Sequence, residues 1–314
     1  MKIALDIMGG DFAPAEPIRG VAQFFEASDD ASVHLLLVGD PAAAEEYLPL
    51  LQPYAGRFTL VPATEVIGMH EHPTKALKEK QNSSIAVGFG ALARGKADAF
   101  LSAGNTGAMM VGAMYTVKAI DGVLRPTIAS PIPREDGKFN LLLDVGLNAD
   151  CKPEHLIQFA ELGSLYMKHI FGVENPRVGL LNLGEEEGKG NLLAQATYPL
   201  LRDDERINFI GNVEGRDIFI DKADVIVCEG FVGNITLKAA ESIYNLFTER
   251  GIKDSFLDNF NFEIYGGTPI LGVNSPVIIG HGISTAIAFK NMIDVACLIV
   301  HSNLTDAFRK NFVA

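Results

Sequence analysis

The sequence contains no tryptophan and only three cysteines among its 314 residues. Cys151, Cys228 and Cys297 are far apart and form no Cys-x-x-Cys pair. This spacing argues against a disulfide framework and against a thiolate metal site. We interpret all three as reduced, mostly buried thiols, which fits a protein of the cytoplasm.

Positive charge is scarce as well. The chain has 26 Lys and Arg residues against 39 Asp and Glu residues, for a formal net charge of −13. Nonspecific binding of nucleic acid requires a surplus of cations that neutralise phosphates. Nucleic acid is therefore not a predicted partner, although a local basic patch is compatible with the overall charge.

Long apolar runs are also missing. No run approaches the roughly 20 residues of a membrane-spanning helix. The N-terminal segment reaches an aspartate at Asp6, too early for the apolar region of a signal peptide. The predicted location is the cytoplasm, and peripheral contact with a membrane is left open.

Short apolar runs alternate with helical patterns along the whole chain, from residues 3–8 to residues 276–279. This alternation predicts an α/β fold, a three-layer α/β/α sandwich with a mainly parallel sheet. We expect residues 1–314 to form a single domain, and two intertwined lobes with the active-site cleft between them are compatible with this length.

A glycine-rich segment follows the apolar run 178–181 and precedes a helical pattern. It contains Asn182, Gly184, Gly188, Lys189 and Gly190. Glycines let backbone N–H groups approach a ligand, and the start of the next helix favours anions. Lys189 adds a point charge suited to a tetrahedral anion. A solvated connection is the alternative interpretation of such a turn.

Similar polar turns follow other predicted strands. Residues 102–108 offer side-chain donors at Ser102, Asn105 and Thr106 and an exposed backbone at Gly104, or they serve only close packing of helix on strand. Further turns carry Asp144 and Asn148, Gly233 and Asn234, and His281 between two glycines. The carboxyl ends of parallel strands are where ligands bind in such folds.

Helical patterns cover residues 153–171 and residues 235–249, and the second places Ile235, Ala239, Ile243 and Leu246 on one stripe. The residues that follow include candidates for an exposed apolar tip, namely Phe256, Leu257, Phe260 and Phe262. Core packing, a dimer contact and peripheral contact with a membrane all fit this region.

Several of these segments together resemble the phosphate acyltransferases of bacterial phospholipid synthesis. The segments are Asp6-Ile7-Met8-Gly9-Gly10-Asp11, residues 102–108, Arg125-Pro126, Asp144-Val145-Gly146, residues 182–190, residues 230–234 and Gly280-His281-Gly282. The resemblance implies a fold similar to phosphotransacetylases and to isocitrate and isopropylmalate dehydrogenases. It also implies conversion of acyl-[acyl carrier protein] and inorganic phosphate to acyl phosphate and free carrier protein. The product would feed a membrane glycerol-3-phosphate acyltransferase.

The resemblance places Lys189 at the family's functional lysine and Asn234 in its Gly-x-x-Gly-Asn motif. It also brings Gly9, Gly10 and Asp11 into the substrate-binding set. Two departures stand out. Leu147 occupies a position where alanine is expected, and residues 240–265 are shorter than in relatives that carry an amphipathic hairpin there.

A mechanism consistent with these residues is direct attack of phosphate on the thioester carbonyl. Lys189 and the backbone of 184–190 hold the phosphate with help from residues 102–106, Lys189 or Asn234 stabilises the oxyanion, and His281 protonates the leaving thiolate. The hypothesis requires no cofactor, no metal and no cysteine nucleophile.

The expected partners are the acyl carrier protein, inorganic phosphate and a second copy of the chain in a homodimer. Candidates for a basic patch that docks the carrier are Lys75, Lys78, Lys80 and Arg94, which are equally typical of an ordinary helix surface. Rival interpretations are a short-chain phosphotransacetylase that uses coenzyme A, a decarboxylating dehydrogenase, and a non-catalytic scaffold.

Overall fold

The computed structural model describes residues 1–28 and 30–313, which form two compact units. The first unit comprises Met1–Ala119 and Phe262–Thr305. The second comprises Ile120–Asn261 and the C-terminal residues from Asp306 onward. The chain thus leaves the first unit after Ala119 and returns to it at Phe262.

In the segment up to Ala119, strands alternate with helices as the sequence predicted. The elements are β1 (Lys2–Asp6), α1 (Ala15–Ala27), β2 (His34–Gly39), α2 (Pro41–Ala44), a 3-10 helix (Leu48–Tyr54), β3 (Phe58–Pro62), α3 (Pro73–Glu79), α4 (Ser84–Ala93), β4 (Ala99–Ser102), α5 (Thr106–Gly112) and a π-helix (Ala113–Val117).

The middle segment opens with a pair of strands and then returns to alternation. Its elements are β5 (Thr127–Pro133), β6 (Phe139–Leu143), α6 (Pro153–Phe171), β7 (Arg177–Asn182), α7 (Leu192–Asp203), β8 (Asn208–Glu214), a 3-10 helix (Gly215–Asp217), β9 (Val225–Val227), α8 (Gly230–Glu249) and α9 (Ser255–Asp258). The last segment contains α10 (Phe262–Tyr265), β10 (Thr268–Leu271), β11 (Val277–Ile279), α11 (Ala286–His301) and α12 (Leu304–Phe312).

The strands of the first unit lie in the order β3-β2-β1-β4-β11-β10. Neighbours pair in parallel except β10 with β11. The strands of the second unit lie in the order β5-β6-β9-β7-β8, and only the β5–β6 pair is antiparallel among these described strands. The predicted α/β fold with mainly parallel pairing is confirmed.

Small residues bring helices close to their neighbours in both units. In the first unit, a Cβ added at Gly20 of α1 would lie 2.5 Å from Cβ of Phe289 in α11. In the second unit, a Cβ added at Gly163 of α6 would lie 2.7 Å from Val225 in β9. Helix α6 has the bounds that the sequence predicted, whereas α8 begins at Gly230 instead of residue 235.

Among the described helices, none by itself has both the length and the apolar composition needed to cross a membrane, and only α11 and α12 meet that test when taken together as a bent pair.

Candidate functional site

In each unit the predicted site residues collect where neighbouring parallel strands reach their carboxyl ends. In the first unit, the ends of β1, β4 and β11 carry Gly9, Gly10, Asp11, Ser102, Gly104, Asn105, Thr106 and His281. In the second unit, the ends of β6, β9 and β7 carry Asp144, Asn148, Asn182, Gly184, Gly188, Lys189, Gly190, Gly233 and Asn234. The active-site cleft between two lobes stays a prediction.

Residues 183–190, which we call the Lys189 turn, connect β7 to α7. At its base, Asn182 Nδ2 donates to the carbonyl of Lys189 and to Oδ1 of Asn212, both at 3.1 Å. Asn212 Nδ2 donates in turn to the carbonyl of Glu186 at 2.9 Å. Asn182 at the end of β7 and Asn212 within β8 therefore tie the turn to the sheet.

The three glycines of the Lys189 turn lie in different local surroundings. Gly190 has φ +99°, and an added Cβ would lie 2.4 Å from Oδ1 of Asn182. At Gly184 an added Cβ would lie 3.0 Å from the side chain of Lys189. A Cβ added at Gly188 would meet nothing within 4 Å. Gly190 is thus required by conformation, while Gly188 lies beside open space.

Lys189 is the exposed cation of this turn. Its side chain is 49% exposed, and its Nζ lies 4.0 Å from the carboxylate of Glu186. Glu185 and Glu187 pair instead with cations outside the turn, at 2.7 and 2.6 Å. An exposed pair at 4.0 Å contributes little energy. An anion that reaches the turn can therefore displace Glu186 from Lys189 at low cost.

Three carboxylates beside the turn lie close enough to suggest a metal site. Oxygen atoms of Glu185, Glu214 and Asp217 lie within 4.8 Å of one another. Lys222 Nζ, however, contacts Glu185 at 2.7 Å and Asp217 at 2.6 Å, and Arg216 pairs with Glu214. We therefore interpret this cluster as an ion-pair network.

Asp144 organises the loop of residues 144–148, which we call the Asp144 loop. Its side chain is fully buried at the end of β6. The carboxylate accepts hydrogen bonds of 2.7–3.3 Å from the backbone N–H groups of Ile128, Gly146, Leu147 and Asn148 and from the Asn148 side chain. These bonds give Asp144 a scaffolding role, and contact with a substrate stays a prediction.

The start of α8 packs directly onto the Asp144 loop. A Cβ added at Gly233 would lie 1.8 Å from the carbonyl oxygen of Asp144, and one added at Gly230 would lie 2.9 Å from that of Asn148. The N–H of Gly230 donates to the same Asn148 oxygen at 2.7 Å. Both glycines are therefore required for the close approach of helix and loop.

Asn234 lies in the first turns of α8, where the sequence predicted a turn before the helix. Its side chain is exposed and faces Gly146, because a Cβ added at Gly146 would lie 3.4 Å from Asn234 Oδ1. The helix begins early because Glu229 caps it and accepts from the N–H of Val232 at 2.9 Å. Cap chemistry immediately before a helical pattern is the signal that locates Glu229.

In the first unit a buried carboxylate links two of the predicted turns. Ser102 Oγ donates to Asp6 at 2.7 Å and accepts from the N–H of Gly104 at 2.9 Å. A Cβ added at Gly9 would lie 2.7 Å from the same Gly104 nitrogen. Burial raises the pKa of the Asp6 carboxyl, although hydrogen bonds from Ser102, Ser84 and backbone N–H groups favour its ionised form.

Asn105 has its side chain engaged on both sides. Its Oδ1 caps α5 by accepting from the N–H of Ala108 at 2.9 Å. Its Nδ2 donates at 2.9–3.2 Å to the carbonyl groups of Gly68, Met69 and Glu71. Asn105 thus holds the segment before α3, whereas neighbouring Thr106 is exposed. Donation from Asn105 to phosphate stays a prediction.

His281 follows β11 and is exposed. Its ring lies 4.8 Å from that of Phe262, and its Nδ1 lies 3.4 Å from the N–H of Ile283. This contact favours the tautomer in which Nδ1 accepts and Nε2 carries the proton. The next residue, Gly282, accepts from the N–H of Asp11 at 2.7 Å, which ties His281 to the turn after β1.

Cys228 is buried, whereas Cys151 and Cys297 are partly buried. Burial raises the pKa of Cys151 and of Cys297 to about 12, and it raises the pKa of Cys228 well above its usual value. A thiol must lose its proton to act as a nucleophile. At neutral pH these thiols remain protonated, which disfavours a covalent acyl-cysteine intermediate.

Comparison with known proteins identifies the relatives of this chain. Residues 1–307 match the family model described as "Fatty acid synthesis protein". A phosphate acyltransferase of Dictyoglomus turgidum is 44% identical over 318 residues, covering 94% of this chain and 93% of the relative. One from Halothermothrix orenii is 42% identical and covers 99% of this chain and 98% of the relative. This chain belongs to the phosphate acyltransferase family.

Solved structures place this phosphate acyltransferase family member in a wider fold group. A phosphotransacetylase from Streptococcus pyogenes superimposes with a TM-score of 0.62 at 16% identity, covering 98% of this chain and 94% of the other. A branched-chain phosphotransacylase from Enterococcus faecalis also gives 0.62, at 15% identity, covering 96% and 99%. The fold predicted by analogy with phosphotransacetylases is confirmed.

Proposed function

We propose that the chain transfers a long-chain acyl group from acyl-[acyl carrier protein] to inorganic phosphate, producing acyl phosphate and free carrier protein. A phosphate oxygen forms the new bond to the acyl carbon while the carbon–sulfur bond breaks. The sulfur leaves with the bonding electron pair and takes up the proton that hydrogen phosphate loses overall. The thioester is already activated, so the enzyme's main task is to align the reactants.

The observation that carries this proposal is the exposed Lys189 on a turn held by Asn182 and Asn212. The ammonium group binds the phosphate dianion and stabilises the oxyanion that develops during attack. Because the base of the turn is fixed by hydrogen bonds, the charge is positioned before the substrate arrives. Asn234 is proposed to stabilise the same oxyanion, and His281 to donate a proton to the leaving sulfur.

Acyl phosphate formation by the Lys189→Ala variant tests this proposal. Purified protein is incubated with hexadecanoyl-carrier protein and phosphate, and hydroxylamine traps the acyl phosphate while released thiol is counted. We expect kcat/KM for phosphate to fall by about a hundredfold, the loss typical of removing one oxyanion-stabilising group. Lys168→Ala is the matched control. Lys168 lies on α6, its side chain is 47% exposed, and its Nζ lies 3.0 Å from the carboxylate of Glu174.

The other outcomes assign different functions. Activity that survives Lys189→Ala at the level of Lys168→Ala would remove Lys189 from the mechanism. Wild-type activity with acetyl-coenzyme A alone would favour a short-chain phosphotransacetylase. No acyl transfer from any thioester, together with binding of carrier protein, would favour a scaffold.

The proposed partners follow from this reaction. The carrier is proposed to dock near the exposed Lys75, Lys78 and Arg94, of which the last two line a groove of about 480 Å³ between α3, α4 and α5. Lys80 is less suited to this role, because it forms an ion pair with Glu71 at 2.5 Å. The chain is proposed to work in the cytoplasm as a homodimer and to supply a membrane glycerol-3-phosphate acyltransferase.

A further inference from the structure

The second unit contains a cavity of about 360 Å³ next to the Lys189 turn. The cavity opens between α7 and α8, above the carboxyl ends of β7 and β9. We call it the α7–α8 pocket. Its volume lies within the range of small-molecule sites, roughly 300–1,000 Å³. Of its lining residues, the sequence predicted Asn182 and Gly190 as site residues and none of the apolar ones.

Most of the surface that lines the pocket is apolar. Its larger apolar side chains are Leu156, Leu180, Leu181, Leu183, Leu193 and Val232. Exposure falls along it, from 71% at Leu183 and 36% at Val232 to 2% at Leu156. Leu183 therefore lies at the mouth, whereas Leu156 and Leu180, which is 1% exposed, lie in the interior.

The polar side chains of the lining are those of Asn182, Asn191, Glu229 and Thr236, together with the thiol of Cys228. Asn182 and Asn191 lie at the turn, where the first holds the Lys189 turn and the second caps α7. The carboxylate of Glu229 is bonded to the start of α8. The pocket thus offers leucine side chains to an uncharged chain. Its described lining contains no Lys, Arg or His that could bind an anionic group.

We propose that the α7–α8 pocket holds the acyl chain of the thioester, with its carbonyl group at the mouth beside the Lys189 turn. This inference rests on the proposed function. Continuity supports it, because Asn182, Leu183 and Gly190 belong both to the turn region and to the pocket lining. The pantetheine arm fits less well, since Asn182, Asn191 and Glu229 already use their side chains within the fold, and its amide groups would otherwise face leucine side chains.

The pocket then acts as a gauge of chain length. Each buried methylene adds about 0.8 kcal/mol, which corresponds to roughly a fourfold gain in kcat/KM. The gain continues with each added carbon until the chain fills the pocket. Methylenes beyond that length lie outside the pocket and add little to kcat/KM.

Filling the pocket from either wall tests the assignment. Leu193→Phe narrows it from α7 and Val232→Phe from α8, and both positions are partly exposed, so the fold should tolerate them. With a series from butanoyl- to hexadecanoyl-carrier protein, we expect kcat/KM for dodecanoyl and longer chains to fall at least tenfold, while butanoyl changes less than about twofold. Leu200→Phe, on α7 and 46% exposed outside the pocket lining, is the matched control.

Equal loss for all chain lengths would overturn the proposal and assign the pocket to the pantetheine arm. No loss in either filled variant would also overturn it. If the wild type makes no acyl phosphate from any chain, the proposed function fails. A binding measurement with alkyl phosphates then tests separately whether the pocket holds an apolar chain. Decyl phosphate below its micelle concentration should bind the wild type at least tenfold more tightly than butyl phosphate, and Leu193→Phe should abolish the difference. Equal binding of the two probes by the wild type would exclude the pocket as a chain site.

Discussion

At the scale of single residues, glycines in the candidate site serve two purposes. Gly233 lies where an added Cβ would be 1.8 Å from the Asp144 carbonyl oxygen. Gly188, in the Lys189 turn, has nothing within 4 Å of that position. The same residue type in similar motifs is thus demanded by packing in one place and adjoins open space in the other.

This contrast predicts different costs of adding one methyl group. Gly233→Ala should lower the free energy of unfolding by about 2–3 kcal/mol, because the backbone of α8 must move away from the Asp144 loop. Gly188→Ala should change it by less than about 0.5 kcal/mol. Urea unfolding of both variants measures the difference. Equal destabilisation by the two substitutions would contradict the packing argument.

At the scale of secondary-structure elements, an ion-pair network joins the amino ends of β7 and β9 to the β5–β6 hairpin. Arg177 donates from its backbone and its side chain to Asp224 at 2.8 and 3.0 Å. Arg134, which is 4% exposed, contacts Asp221 at 2.9 Å. These contacts connect elements at the edge of the sheet opposite the candidate site.

The network should make stability depend on pH. Burial raises the pKa of Asp224, but hydrogen bonds from Arg177 outweigh it, so the pKa is lowered overall. The native carboxylate then stays ionised at a pH where the unfolded one is already protonated. Its stabilisation is present above about pH 4 and is lost as the pH falls through the lowered native pKa.

Asp224→Asn should therefore lower the free energy of unfolding at pH 7 by about 3 kcal/mol, the cost typical of breaking a partly buried ion pair. The difference from wild type should shrink below pH 4. Urea unfolding between pH 7 and pH 3 measures it. Asp203→Asn is the control, because Asp203 pairs with Arg202 at the surface and its loss should change little. A difference that is constant across this pH range would refute the assignment to Asp224.

At the scale of the whole molecule, α8 presents an apolar stripe that the described residues of the chain leave exposed. Ile235, Ile243 and Leu246 are 52%, 43% and 49% exposed. The core interpretation of this stripe from sequence is therefore wrong for the single chain. Of the three interpretations, a contact with a second copy and a contact with a membrane surface are compatible with the exposed stripe. The homodimer stays a prediction.

Ile243→Glu should weaken self-association at least tenfold, because it places a charge in the proposed contact. Sedimentation at several protein concentrations measures the dissociation constant. Ser242→Glu adds the same charge one position away, off the stripe, and should leave association nearly unchanged. A wild type that sediments as a monomer would contradict the homodimer, and equal effects of both variants would place the contact elsewhere.

Part of the fold could be predicted from sequence because some helices and strands are marked by residues within or beside them. Helix α6 lies between a proline at its first position and a left-handed glycine at its end, and its predicted bounds are the observed ones. Strands β5 and β10 were missed, since each contains proline, which weakens the signal of a strand. Both belong to antiparallel pairs, an arrangement that simple strand–helix alternation does not indicate.

The sequence by itself determined most strands other than β5 and β10, which turns are rich in glycine, and which family the chain resembles, because these depend on neighbouring residues and on ordered motifs. The tertiary structure alone decided what the polar side chains in those turns contact. Asp144 and Asn105 look like ligand-binding groups in the sequence, yet their hydrogen bonds hold loops. The α7–α8 pocket likewise comes into being only when α6, α7, α8 and β7 meet, since residues distant in sequence supply its walls.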